Sequence, residues 1–172
     1  MLSPDLPRSH ALADPAAALS SDGGFDFLLG RWAVRHRKLR RRLAGGSDWF
    51  EFPGTLDVRP ILGGLGNVDE NVLEDPGGRY LASSLRLFDA KTGRWSVWWL
   101  DGRAPAVETP VTGSFDGPRI ALFADETFEG RPIRARATYE DQGAGRAEWT
   151  QAFSADAGAT WEVNWIMAFS RA

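Results

Sequence analysis

Phe25-Asp26-Phe27-Leu28-Leu29-Gly30-Arg31-Trp32 carries more structural information than any other stretch of this chain. A short apolar run reaches a Gly-x-Trp step, and strand-like sequence follows at once. Glycine lets the backbone turn sharply at that point. Beyond it, successive side chains of a strand face opposite ways. With Trp32 directed inward, Val34, His36 and Lys38 share its face, while Arg35 and Arg37 point to solvent. The basic run Arg35–Arg42 then reads as a solvated outer face with a basic tip, the alternative being an anion-attracting rim.

Apolar and polar residues keep alternating along the rest of the chain, in short runs separated by Gly, Asp and Pro. Strands are expected over 31–42, 48–58, 66–74, 79–88, 94–101, 110–115, 118–126, 131–140, 146–154 and 160–170. About ten such strands give an all-β chain: a single antiparallel up-and-down β-barrel with an internal cavity, since closure removes exposed sheet edges. An immunoglobulin-like sandwich is the other all-β arrangement, but it leaves Gly30-x-Trp32 unexplained. Asp75-Pro76-Gly77-Gly78 and Asp89-Ala90-Lys91-Thr92-Gly93 are strong turns. Ser154-x-Asp156-x-Gly158-x-Thr160-Trp161 has the Asp-box pattern, in which a carboxylate caps the amides of a hairpin and the indole packs beneath. A single copy is a structural hairpin, not a propeller. Gly63-Gly64-Leu65-Gly66 has neither the third glycine of a dinucleotide loop nor a P-loop Lys, so it serves to bend the chain between strands.

Composition narrows the classes. The 172 residues suit one domain, with a flexible arm over 1–24, a helical turn within it over 16–19, and a barrel over 25–172. Eight Trp and ten Phe suit a wide core or a ligand cavity. A formal charge of −3 argues against nucleic acid as a partner. The absence of cysteine excludes disulfides, thiolate metal sites and cysteine nucleophiles. Neither a signal peptide nor a membrane-length apolar run is present, so a cytoplasmic location without membrane association is expected. A homodimer is left open.

The pairing of Gly30-x-Trp32 with Arg171, just beyond the apolar strand Trp161–Phe169, resembles the calycin superfamily of lipocalins, fatty-acid-binding proteins and nitrobindin-like barrels. The chain looks like a bacterial lipocalin-like branch of it. The resemblance implies that Trp32 closes the floor of the barrel and that Arg171 lies across its ring, a cation–indole contact worth ~0.5–2 kcal/mol. It also directs Phe169, Met167, Trp165 and Val163 inward, and with them Phe153, Gln151 and Trp149 across the Asp-box hairpin. Nitrobindins hold haem through a late histidine. No histidine follows His36, so neither haem nor another cofactor is expected. Fatty-acid-binding proteins grip a carboxylate with Arg and Tyr on the last strand, where this chain has Trp165, Met167 and Phe169.

His10 lies in the arm, which leaves His36 as the imidazole available to a site: a hydrogen-bonded core residue, a ligand contact or an acid–base group. One such histidine without cysteine is poor material for a metal site, and none is expected. Val68, Glu70 and Val72 alternate, which directs Glu70 inward. Setting Phe88 opposite Trp95 groups Ser84 and Arg86 with Val97, Trp99 and Asp101, although Leu85, Leu87, Trp98 and Leu100 form an equally apolar face. On the first assignment the ligand-binding residues are His36, Glu70, Arg86, Trp99, Asp101, Trp149, Gln151 and Trp165. Buried charges need partners, so an internal Arg86–carboxylate pair is the structural alternative. The expected function is to bind a small aromatic or amphipathic molecule in a Trp-lined cavity. The alternative is a cavity enzyme, an isomerase, cyclase or hydrolase, using His36 with Glu70 or Asp101.

Overall fold

A computed structural model of the chain describes residues 24–104 and 106–172. The expected arm, its helical turn and His10 lie outside the described residues, apart from Gly24. Ten strands follow: β1 (Gly30–Leu39), β2 (Trp49–Ile61), β3 (Gly66–Leu73), β4 (Tyr80–Asp89), β5 (Arg94–Asp101), β6 (Val111–Asp116), β7 (Arg119–Phe128), β8 (Arg131–Gly143), β9 (Arg146–Ser154) and β10 (Glu162–Arg171). Each coincides with one of the alternating runs. Neighbours in sequence are antiparallel neighbours in space, and β1 pairs with β10, so the sheet is a closed up-and-down barrel rather than a sandwich. Seven residue pairs make that closure, from Trp32↔Arg171 to Lys38↔Trp165.

The joins are unequal. β1 and β2 share ten residue pairs, whereas β5 and β6 share three, Trp95↔Gly113 to Val97↔Val111. Above Val97, toward the end of the barrel where β1 finishes, β6 offers β5 no partner, and the chain between β5 and β6 borders the opening.

A short 3₁₀ helix, Gly24–Leu28, plugs the opposite end, with Phe25 and Leu28 wholly buried. The Phe25 ring meets Trp95 and Tyr139 edge-on at 4.9 Å and Phe115 at 5.1 Å. Gly30 then turns into β1 at φ +95°, a left-handed conformation that favours glycine. The Arg171 guanidinium lies 3.8 Å from the centre of the Trp32 ring. It also donates to the carbonyls of Leu29 and Phe27, while the Trp32 indole N–H donates to Leu28 O at 2.6 Å. Plug, floor and last strand are thus tied by one cluster.

Alternation places Trp32, Val34, His36 and Lys38 inside, as expected, and Arg35 and Arg37 outside. Burial of Ser84, Arg86 and Val97 settles the β4–β5 face in favour of the first assignment. Two expectations are corrected. On β3 the buried residues after Gly66 are Asn67, Asp69, Asn71 and Leu73, and Glu70 faces solvent between the partly exposed Val68 and Val72. A polar row is inside because Arg86 is there to be neutralised. On β10 a bulge at Asn164 breaks the register between Val163 and Trp165, which turns Val163 outward.

Both special loops are structural. Gly63–Gly66 overlaps a three-residue 3₁₀ turn, Leu62–Gly64, and leads straight into β3 with no longer helix to bind phosphate. In the Asp box, Asp156 accepts hydrogen bonds from Thr160 N at 2.8 Å and from the Thr160 hydroxyl at 2.6 Å. Ser154 Oγ accepts from Gly158 N at 2.8 Å, and the Trp161 indole donates to Gly158 O. No helix among the described residues is long and apolar enough to cross a membrane.

Candidate functional site

Trp165 organises the interior. From β10 its ring stands nearly perpendicular to Trp149 of β9, at 5.2 Å and 89°, and to Trp99 of β5, at 5.5 Å and 82°. Edge-to-face contact is a favoured geometry for such rings. The three indoles border an interior pocket of about 110 Å³, completed by Ser84, Val97, Ala137, Tyr139, Gln151 and Met167. Glu108, Thr109, Val111 and Glu126 line it on the side where β5 and β6 part. Its walls are largely apolar, with one polar point that matters: Gln151 Oε1 is buried and has no protein partner among the described residues. A buried acceptor left unpaired is costly, by ~1–3 kcal/mol, and such an atom is a natural docking point for a donor.

His36 supports this box without lining it. Its ring is fully buried and stacks on Phe52 at 4.6 Å and 7°. Its Nδ1 accepts the Trp165 indole N–H at 3.3 Å, which puts the imidazole proton on Nε2. That nitrogen faces Gly54 on β2, where a Cβ would stand only 2.5 Å away. Burial, reinforced by Lys38, pushes the His36 pKa down to about 3. Its hydrogen-bond and stacking partners are Trp165 and Phe52, not Glu70, Asp101 or Arg86.

Arg86 is likewise occupied by structure. Its guanidinium, buried with Asp69, meets that carboxylate at 2.7 Å and Asn67 Oδ1 at 2.9 Å, and reaches the Tyr139 hydroxyl at 3.4 Å. Asp69 also accepts from Ser84 N at 2.8 Å. The Phe25 plug covers the group, its ring 5.5 Å from the Arg86 guanidinium carbon. This is the internal ion pair weighed from sequence, with Asp69 as the partner that the β3 face had hidden.

Asp101 sits at the open rim in a bidentate pair with Arg103, at 2.9 and 2.7 Å. Those bonds hold its carboxyl below the ordinary range. Glu70 is on the outer surface. The groups proposed for acid–base work therefore do not converge. Of the eight expected site residues, Trp99, Trp149, Gln151 and Trp165 share the pocket; His36 braces Trp165; Arg86 lies in the ion pair below; Asp101 is at the rim; Glu70 is outside.

Two notable residues had no role assigned from sequence. Glu126 on β7 borders the pocket, its pKa raised by burial and then by Glu108. Its parity with Ile120 and Leu122 was the available signal. Lys38 was placed on the inner face but given no chemistry. It is 7% exposed, donates to the Tyr80 hydroxyl at 3.2 Å and stands 3.7 Å from the centre of the Trp165 ring.

The class of protein is thus a closed, ten-stranded antiparallel barrel with a buried aromatic cluster, an architecture compatible with a calycin-like barrel. In comparison with known proteins, no family model matches the chain and no curated protein aligns with it significantly.

Proposed function

We propose that this is a calycin-like binding protein that holds a small aromatic or amphipathic molecule among Trp99, Trp149 and Trp165. The observation that carries the reading is the unpaired Gln151 Oε1 within a pocket walled by three indoles, Trp165 standing nearly perpendicular to both Trp99 and Trp149. Flat apolar walls reward stacking, and the unpaired Gln151 acceptor selects a ligand with an N–H or O–H group. Size sets a further limit. An apolar cavity of roughly 150 Å³ takes benzene, so about 110 Å³ suits a single small ring, with larger substituents directed toward Glu108 and Thr109. Native mass spectrometry of the purified protein should find such a molecule retained, and its binding should quench Trp fluorescence. Gln151→Leu, close in volume but without the acceptor, should weaken binding about tenfold, equivalent to ~1.4 kcal/mol. Unchanged affinity in Gln151→Leu and in Trp149→Leu would remove the pocket as the site.

A further inference from the structure

The chain has two lysines among its twenty basic residues, Lys38 and Lys91. Lys91 is on the exposed turn between β4 and β5. Lys38 is buried at the other end of the barrel, its Nζ over the Trp165 ring and bonded to Tyr80. No carboxylate among the described residues forms a salt bridge with it: Asp101 is taken by Arg103, and Arg103 itself stacks on Tyr80 at 3.5 Å. An open pocket of about 420 Å³ reaches Lys38 at this rim, bordered by Arg41, Arg42, Phe50, Phe128 and Glu129. The Trp165 face and the acids Asp75 and Asp101 favour an ammonium ion here, but burial together with Arg42 and Arg103 opposes it more strongly, which leaves a buried amine beside arginines suited to an anion.

We propose that Lys38 is a carbonyl-capturing amine, which forms a reversible imine with an aldehyde that carries an anionic group, the anion lying near Arg41 and Arg42. This site opens at the rim and shares Trp165 with the Trp-lined pocket, but it does not rest on a ligand being bound there. The Nζ lone pair adds to the carbonyl carbon to give a carbinolamine, and loss of water then gives the imine. The net change is amine plus aldehyde to imine plus water, with no redox partner needed. The Tyr80 hydroxyl, already bonded to Nζ, can hand a proton to the departing oxygen and regain one from nitrogen, so it ends unchanged. Burial, then Arg42, lowers the Lys38 pKa to about 8, with Arg103 acting in the same sense and Asp75 and Asp101 opposing it. Burial raises that of Tyr80 to about 12, which keeps the phenol protonated. Lysines desolvated in this way are the ones enzymes use for imine chemistry.

Lys91 makes the test internal. The full-length protein is incubated at pH 8 with 4-formylbenzoate and cyanoborohydride, and adducts are located by peptide mass mapping. Labelling at Lys38 should outpace that at Lys91 by on the order of tenfold or more, the advantage expected from a larger neutral fraction. Benzaldehyde, lacking the carboxylate, should label Lys38 more slowly. Lys91→Arg should retain the fast adduct and Lys38→Met should lose it, while Tyr80→Phe should slow it. Labelling of Lys38 no faster than Lys91 in folded wild-type and Lys91→Arg protein would overturn the proposal. So would saturable binding of 4-formylbenzoate without an adduct, which would leave the rim as a plain anion site.

Discussion

At the scale of single residues, His36 shows how an interior fixes protonation. The folded imidazole stays neutral down to about pH 3, whereas an unfolded histidine takes a proton near 6.5. The unfolded chain therefore binds more protons between those values. The stability that His36 contributes is complete above pH ~6.5 and is lost progressively as the pH falls toward 3. Denaturant titrations should show wild type weakening from pH 7 to pH 4 by more than His36→Gln, which offers Trp165 a neutral acceptor. Equal slopes would mean that His36 is not held neutral. Facing it, Gly54 has no room for a methyl group, since a Cβ would meet His36 Nε2 at 2.5 Å and Val72 O at 2.6 Å. Gly54→Ala should cost ~1–3 kcal/mol in unfolding free energy. Asp156 shows the acid case at the surface: hydrogen bonds from Thr160 lead in lowering its pKa to about 2. Its stabilising effect is present above pH ~4 and fades toward 2, and Asp156→Ala should lower the melting temperature while leaving ligand affinity intact. The direction of most side chains was legible from period-two alternation alone, Trp32 to Lys38 being the clearest run. What alternation could not supply was partnership, because the bond from Trp165 to His36 spans 129 residues.

At the scale of elements, the ten strands were legible because each is a short alternating run ended by a turn, and a barrel wall with one face inside imposes that pattern. β3 misled for a physical reason. Its valines suggest an apolar inner face, yet Asn67, Asp69 and Asn71 are inside. The inversion is enforced by β4, where Arg86 lies directly across from Asn67 and needs a carboxylate in reach. A single-strand reading cannot see a demand set by its neighbour. Adjacent acids on this strand should therefore behave in opposite ways. Asp69→Asn leaves the guanidinium buried without its counter-charge and should cost ~3–5 kcal/mol. Glu70→Ala, on the outer face, should stay within about 0.5 kcal/mol. Similar losses from both would contradict the register. The β10 bulge is the other feature that alternation could not foresee, since one inserted residue leaves the sequence pattern on either side intact.

Taken whole, the molecule is held shut at one end and is more open at the other. Trp32, Arg171 and the Phe25 plug bind the first, middle and last parts of the barrel together, and Trp32→Ala should cost ~3–5 kcal/mol in a denaturant titration. A loss below ~1 kcal/mol would show that this end tolerates a void. The wall itself is uneven in the same sense, and the three-pair join between β5 and β6 is its thinnest part. A hoop strained by heat parts where the fewest bonds cross. Amide hydrogens of β5 and β6 should accordingly exchange with solvent faster than those of β1 and β2, in subglobal openings that leave the floor intact. Because this seam borders the Trp-lined pocket, such breathing would admit molecules wider than the closed form allows, making entry a matter of waiting for the wall to part.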